Sequence, residues 1–136
     1  MSYCKQSTMK PWLTIFVSLI IFSAQAQNKN PFDYGTIQFS ATEINYGIVK
    51  KDSDGSRKLT ITNIGKTALY INKCSATCGC TVPECPLEPL EPGRTGEMRI
   101  KYNTSKVGVF AKNVTVWSSD QVNPISIIKV YGEVIE

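Results

Sequence analysis

The sequence predicts an all-β sandwich of about seven short strands, and three observations carry that expectation. From Thr36 onward apolar residues alternate with polar ones in short runs, which is the period of a strand with one buried face. Turn-forming residues interrupt these runs every eight to twelve residues or so. No stretch after the N-terminus carries the three-and-four spacing of an amphipathic helix. A closed barrel is the alternative all-β arrangement that the same pattern allows.

The N-terminus reads as a secretory signal. Lys5 and Lys10 give a basic start, Trp12 to Phe22 an apolar run, and Ala24-Gln25-Ala26 a small-x-small cleavage site. The run of eleven residues falls short of the roughly 20 that span a bilayer. Cleavage after Ala26 would leave 110 of the 136 residues, enough for one domain with a modest core. It would also remove Cys4, and with Lys5 and Lys10 it would lower the formal charge from +4 to +2. Such a balance, with no Lys/Arg run, gives no electrostatic case for nucleic acid or an anionic membrane. Export implies an oxidising compartment, periplasmic or external, in which cysteines pair. Residues 27–35 are polar, with Asn28, Asn30 and Pro31, and read as a flexible leader to a domain over 36–136.

Ile37 with Phe39, and Ile44 with Tyr46, suggest two short edge strands. Asp52-Ser53-Asp54-Gly55 is a turn by composition. A calcium loop there would need Gly and Glu where Arg57 and Asn63 stand. Leu59 and Ile61 alternate with Lys58, Thr60 and Thr62, and Leu69 and Ile71 with Ala68, Tyr70 and Asn72. The Asn63-Ile64-Gly65-Lys66 break between them predicts a hairpin whose second strand leads into Cys74. Pro86-Leu87-Glu88-Pro89-Leu90-Glu91-Pro92 repeats every three residues, the turn length of a polyproline II helix. That phase predicts a crossover with Leu87 and Leu90 docked on the domain and Glu88 and Glu91 in water, closed by a Pro92-Gly93 turn. Three further runs follow: Thr95 to Tyr102, with Met98 and Ile100 in phase; Phe110 to Trp117, with Val114 and Val116; and Ile125 to Ile135, with Ile128, Val130 and Val134. The expected core includes Leu59, Ile61, Leu69, Ile71, Ile100, Val114, Val116 and Val130.

The candidate site is the stretch from Cys74 to Cys85, C-S-A-T-C-G-C-T-V-P-E-C, which holds every cysteine left after signal cleavage. Four cysteines in an exported chain are first a disulfide framework, with three connectivities that spacing does not distinguish. A Cys78–Cys80 bridge would close a very small ring, and strained bridges are the more easily reduced. The second reading is a thiolate metal site using Cys78 and Cys80 together with Cys74 and Cys85. The C-x3-C-x-C-x4-C spacing suits structural zinc poorly, whereas copper(I) accepts sulfur-only ligation. The third is thiol exchange at Cys78-Gly79-Cys80, without the C-x-x-C spacing and helix N-terminus that usually lower a thiol pKa. The chain has no histidine, so imidazole bases, Ser-His pairing and His-ligated metals are excluded. Glu88 and Glu91 imitate a glycosidase pair only in type, since nothing around a solvent edge raises a carboxyl pKa. No catalytic residue is assigned.

From about Ile37 to the C-terminus the chain resembles the bacterial domain-of-unknown-function family 1573. The features that carry this are Asn63-x-Gly65 with Leu69 and Ile71, Cys78-Gly79-Cys80-Thr81, Glu88-Pro89-Leu90 with Pro92-Gly93, and Tyr102-Asn103-Thr104. Gly108-Val109-Phe110, Val114-x-Val116 and Val130-x-Gly132-x-Val134 complete them. The resemblance implies an Ig-like sandwich akin to PapD-type and Hydin-type domains, exported in bacterial envelopes and abundant in Bacteroidota, often without known activity. It also implies that Cys78 and Cys80 are the family's cysteine pair, with Cys74 and Cys85 as additions. The expectation is a non-enzymatic binding or structural module with a cysteine-stapled loop, a protein partner in the envelope and no resident cofactor. The alternative is a redox or copper-handling protein working through Cys78 and Cys80, with zinc the other metal to consider.

Overall fold

The computed structural model describes residues 34–136. The signal sequence expected at 1–26, and the leader expected at 27–35 apart from its last two residues, lie outside the described residues. Eight strands follow in order: β1 Ile37–Phe39, β2 Glu43–Lys50, β3 Ser56–Asn63, β4 Ile71–Ala76, β5 Thr81–Glu84, β6 Thr95–Tyr102, β7 Gly108–Ser118 and β8 Ile125–Ile135. One sheet has the order β1-β3-β6-β5 and the other β2-β8-β7-β4. All pairings are antiparallel except β2 with β8. The two sheets pack as a sandwich, and no helix occurs among the described residues.

Alternation places the core. Leu59 and Ile61 of β3, and Met98, Ile100 and Tyr102 of β6, face Phe110, Val114 and Val116 of β7 and Ile128, Val130 and Val134 of β8, all buried. At about 25 cal/mol per Å², removing such side chains from water is the main term favouring the fold. Of the expected core only Ile71 is half-buried, because it starts the edge strand β4. One aromatic cluster closes the end of the core. The rings of Tyr102 and Phe110 stack with centroids 3.7 Å apart, and Tyr46 meets both edge-on at 6.2 and 5.5 Å. Gly132 lies opposite, where a Cβ would come within 2.7 Å of Tyr46 Cβ. In β2 the period changes phase: Gly47 has φ +63°, the Asn45 side chain accepts its N–H at 2.8 Å, and the register with β8 shifts between Asn45 and Ile48. This bulge turns Tyr46 and Val49 inward together and leaves Ile48 exposed.

The expected sandwich of about seven strands has eight, since Thr81–Glu84 inside the cysteine stretch forms β5; Pro83 is tolerated because β5 is a sheet edge. Three other expectations are corrected. β1 and β2 do lie at sheet edges, but β2 runs eight residues. β3 and β4 do not form a hairpin, because they belong to different sheets. The physical reason is Asn63, fully buried at the end of β3. Its Oδ1 accepts the N–H groups of Thr36 (3.1 Å) and Gly65 (2.9 Å), and its Nδ2 donates to the carbonyls of Thr67 (2.8 Å) and Leu90 (2.7 Å). A Cβ on Gly65 would collide with the Tyr34 carbonyl, so only glycine lets the chain pass here. Leu69 then pairs with Leu90 instead of opening β4. Last, Leu87 does not dock; it is 98% exposed, while Leu90 is buried. Pro86 and Leu90 both press on Gly96, so the inward edge of the crossover has a spacing of four residues. Glu88 and Glu91 face solvent, and Gly93 at φ +76° closes the expected turn.

Candidate functional site

The cysteine stretch runs from β4, the edge of one sheet, to β5, the edge of the other. It contains two disulfides. Cys74 in β4 bonds to Cys85, just past β5, with Cα atoms 6.4 Å apart, so this bridge ties the two sheets together along one side of the sandwich. Cys78 bonds to Cys80, with Cα atoms 5.3 Å apart and only Gly79 between them. Cys74, Cys80 and Cys85 pack against the core. All four sulfurs are paired in this structure, and among the described residues no group of three or more Cys, Asp or Glu converges as a metal site.

The β4–β5 loop is held by its neighbours. Thr77 N–H donates to the Asn113 carbonyl (3.0 Å), Asn103 N–H to the Cys80 carbonyl (2.8 Å) and Thr81 N–H to the Cys78 carbonyl (3.3 Å). The Thr81 side chain, almost wholly buried, places its hydroxyl oxygen 3.8 Å from Cys78 Sγ and 3.9 Å from Cys80 Sγ. The bridged loop stands between two open clefts. One, of about 570 Å³, lies toward the β2–β3 turn, with Asp52, Asp54 and Lys101 on its wall. The other, of about 480 Å³, lies toward β7, lined by Lys106, Val109 and Lys112 over Tyr102 and Phe110. Gly79, Cys80, Tyr102 and Asn103 belong to both. Hydrogen bonds from the Ser56 side chain and N–H hold the Asp54 carboxyl below its ordinary range. Beneath, burial pushes the Tyr46 phenol up to about 12, against the pull of the Arg57 guanidinium 4.5 Å from its ring.

All four cysteines of the expected site thus lie together, though as two separate bridges with different surroundings. Sequence reading did not assign Lys101, Lys106, Val109 or Lys112 to the site. They lie within the twelve residues that run from β6 into β7, and the packing of that connection against the β4–β5 loop brings them to the clefts. Thr81 had a signal, since it closes the C-G-C-T motif.

The family described as "Protein of unknown function (DUF1573)" matches residues 37–134. The chain belongs to that family. No curated protein matches it by sequence. Among solved structures, this DUF1573 chain is similar to a protein of unknown function from Porphyromonas gingivalis W83, with TM-score 0.68, 16% identity and 76% of this chain covered. It spans about half, 49%, of that protein's length. It is similar also to the ASH / PapD-like domain 7 of human CEP192, with TM-score 0.62, 14% identity and 100% and 99% of the two chains covered. The periplasmic chaperone SfaE gives TM-score 0.53 at 18% identity, covering 74% of this chain and 58% of that one. At these identities the likeness establishes the fold, an Ig-like sandwich of the PapD-like kind.

Proposed function

We propose that this DUF1573 chain is an exported, non-enzymatic Ig-like module that binds a protein partner in the cell envelope through the end of the sandwich carrying the Cys78–Cys80 loop. The observation that supports this reading most is the pair of open clefts on either side of that loop. There Val82 and Val109, 52% and 81% exposed, stand among Lys101, Lys106 and Lys112 on a floor of stacked aromatic rings. Exposed apolar side chains rimmed by charge suit a polypeptide surface better than a small polar substrate. The likeness to periplasmic chaperones such as SfaE, and two disulfides that need an oxidising compartment, support the envelope location. The cross-sheet bridge holds the β4 and β5 edges that present the loop, and the reading requires no cofactor.

The test is site-specific photo-crosslinking in cells, with a benzophenone amino acid at Val109, and at exposed Gln121 in the β7–β8 turn at the opposite end of the sandwich as control. A discrete protein adduct at 109 and none at 121 is expected. Equal labelling at both positions, or none at 109, refutes the reading.

A further inference from the structure

We propose that the Cys78–Cys80 bridge is a thiol–disulfide exchange site that reacts with a dithiol-bearing protein, while the Cys74–Cys85 bridge is a permanent staple. This goes beyond the binding reading and does not depend on it. The two bridges differ in what they connect. Cys74–Cys85 joins the edges of two sheets, and both of its cysteines pack against the core. Cys78–Cys80 encloses one residue and joins no two elements. Opening it releases no strand, and closing so short a loop restricts the unfolded chain little.

They differ equally in access. Gly79 has open space above it, since a Cβ there would meet nothing within 4 Å, and the two clefts meet at Gly79 and Cys80. Both cysteines are half-buried, but Cys80 lines both clefts and Cys78 lines neither, so Cys80 Sγ is the sulfur an incoming thiolate reaches. Around the pair stand groups suited to a thiolate. Among the described residues the two sulfurs are the only hydrogen-bonding partners of the Thr81 hydroxyl. An O–H bonds an anionic sulfur more strongly than a disulfide sulfur, so this contact tightens when the bridge opens. Lys101, Lys106 and Lys112 add positive charge on the cleft walls, set against Asp52 and Asp54 on the far side of the first cleft.

The step balances as an ordinary exchange. A thiolate of the external dithiol attacks Cys80 Sγ and forms a mixed disulfide. The Cys78–Cys80 bond breaks, and its electron pair goes to Cys78 Sγ, which the Thr81 hydroxyl holds until solvent protonates it. The second external thiolate then attacks the external sulfur of the mixed disulfide and releases Cys80, which is protonated in turn. The external dithiol is oxidised to a disulfide by two electrons, and Cys78 and Cys80 are reduced to thiols.

The experiment treats the oxidised, folded protein with dithiothreitol, traps thiols with N-ethylmaleimide over time, and locates them by tandem mass spectrometry. Cys78 and Cys80 should be trapped at least about tenfold faster than Cys74 and Cys85, with no loss of the folded spectrum. Thr81→Val should slow opening of Cys78–Cys80 about threefold or more, and Thr81→Ser should restore it. Both bridges opening together, or Cys74–Cys85 opening first, overturns the assignment. An unchanged rate in Thr81→Val that retains the native spectrum overturns the part given to Thr81. Crosslinking at Val109, scored on fully oxidised protein, reports on the binding reading separately.

Discussion

Replacing Asn63 should remove a large part of the stability margin without touching any surface. Its side chain makes four hydrogen bonds of 2.7–3.1 Å, two of them, to the Gly65 N–H and the Leu90 carbonyl, in fully buried surroundings. Asn63→Ala strands those two groups, at roughly 1–3 kcal/mol each, while the Thr36 N–H and Thr67 carbonyl are partly buried and regain some water. The expected loss is about 3–6 kcal/mol, against the roughly 5–15 kcal/mol that holds a domain together. Asn63→Asp separates packing from hydrogen bonding, because it is nearly isosteric. The introduced carboxylate still accepts from Thr36 and Gly65 but turns an acceptor toward two carbonyls, so only the protonated acid fits. The folded state then raises the pKa of the introduced carboxyl above its unfolded value of about 3.9. Stability of this variant is therefore greatest below that value and is lost as pH rises through the folded pKa. Equilibrium urea unfolding followed by Trp117 fluorescence, at pH 7 and again toward pH 4, measures both variants. A loss under about 1 kcal/mol for Asn63→Ala at unchanged m-value, or an Asn63→Asp variant as stable as the parent at pH 7, would refute this account.

Removing the cross-sheet bridge with Cys74→Ser/Cys85→Ser should cost about 2–4 kcal/mol and lower Tm by roughly 10–20 °C, whereas Cys78→Ser/Cys80→Ser should move Tm far less; differential scanning calorimetry compares them. Tyr46, its hydroxyl bonded to the Gly55 and Ile100 carbonyls, should ionise near 12 in the folded protein. Because that is above the unfolded value, its share of stability is intact below about pH 10 and lost as pH rises toward 12; ultraviolet titration of Tyr46→Phe against the parent should show the missing late step. Asp120, 1% exposed, accepts the N–H groups of Ile37, Val122 and Asn123 and so covers the outward N–H of edge strand β1. Asp120→Ala should cost about 2–4 kcal/mol and should speed hydrogen exchange at Ile37 more than in β7. For export, N-terminal mass analysis of the envelope protein should begin at Gln27, and a chain retaining Met1 would refute signal cleavage.

Much of the fold follows from patterns local enough to act without tertiary help. Alternation of Leu59 with Ile61, of Met98 with Ile100, and of Val114 with Val116 puts apolar side chains on one face of each strand whatever its neighbours are, because successive side chains point to opposite sides. The same locality made the Pro92-Gly93 turn and the gathering of all four cysteines in one segment readable. Connections were not local. Whether β3 and β4 share a sheet depends on Asn63 reaching Leu90, 27 residues away, and no turn propensity records that. Leu87 and Leu90 are the same residue type at polyproline spacing, and contact of Pro86 and Leu90 with Gly96 decides which one is buried. β5 was hidden because a strand containing Pro83 is permitted only at an edge, and edge positions exist only once the sheets are assembled. The sequence by itself determined that the protein is a cysteine-bearing all-β domain. Tertiary structure alone decided that Cys74 meets Cys85 across two sheets, leaving Cys78 to bond Cys80 beside the Thr81 hydroxyl, because pairing follows which sulfurs the packed sheets bring within bonding distance.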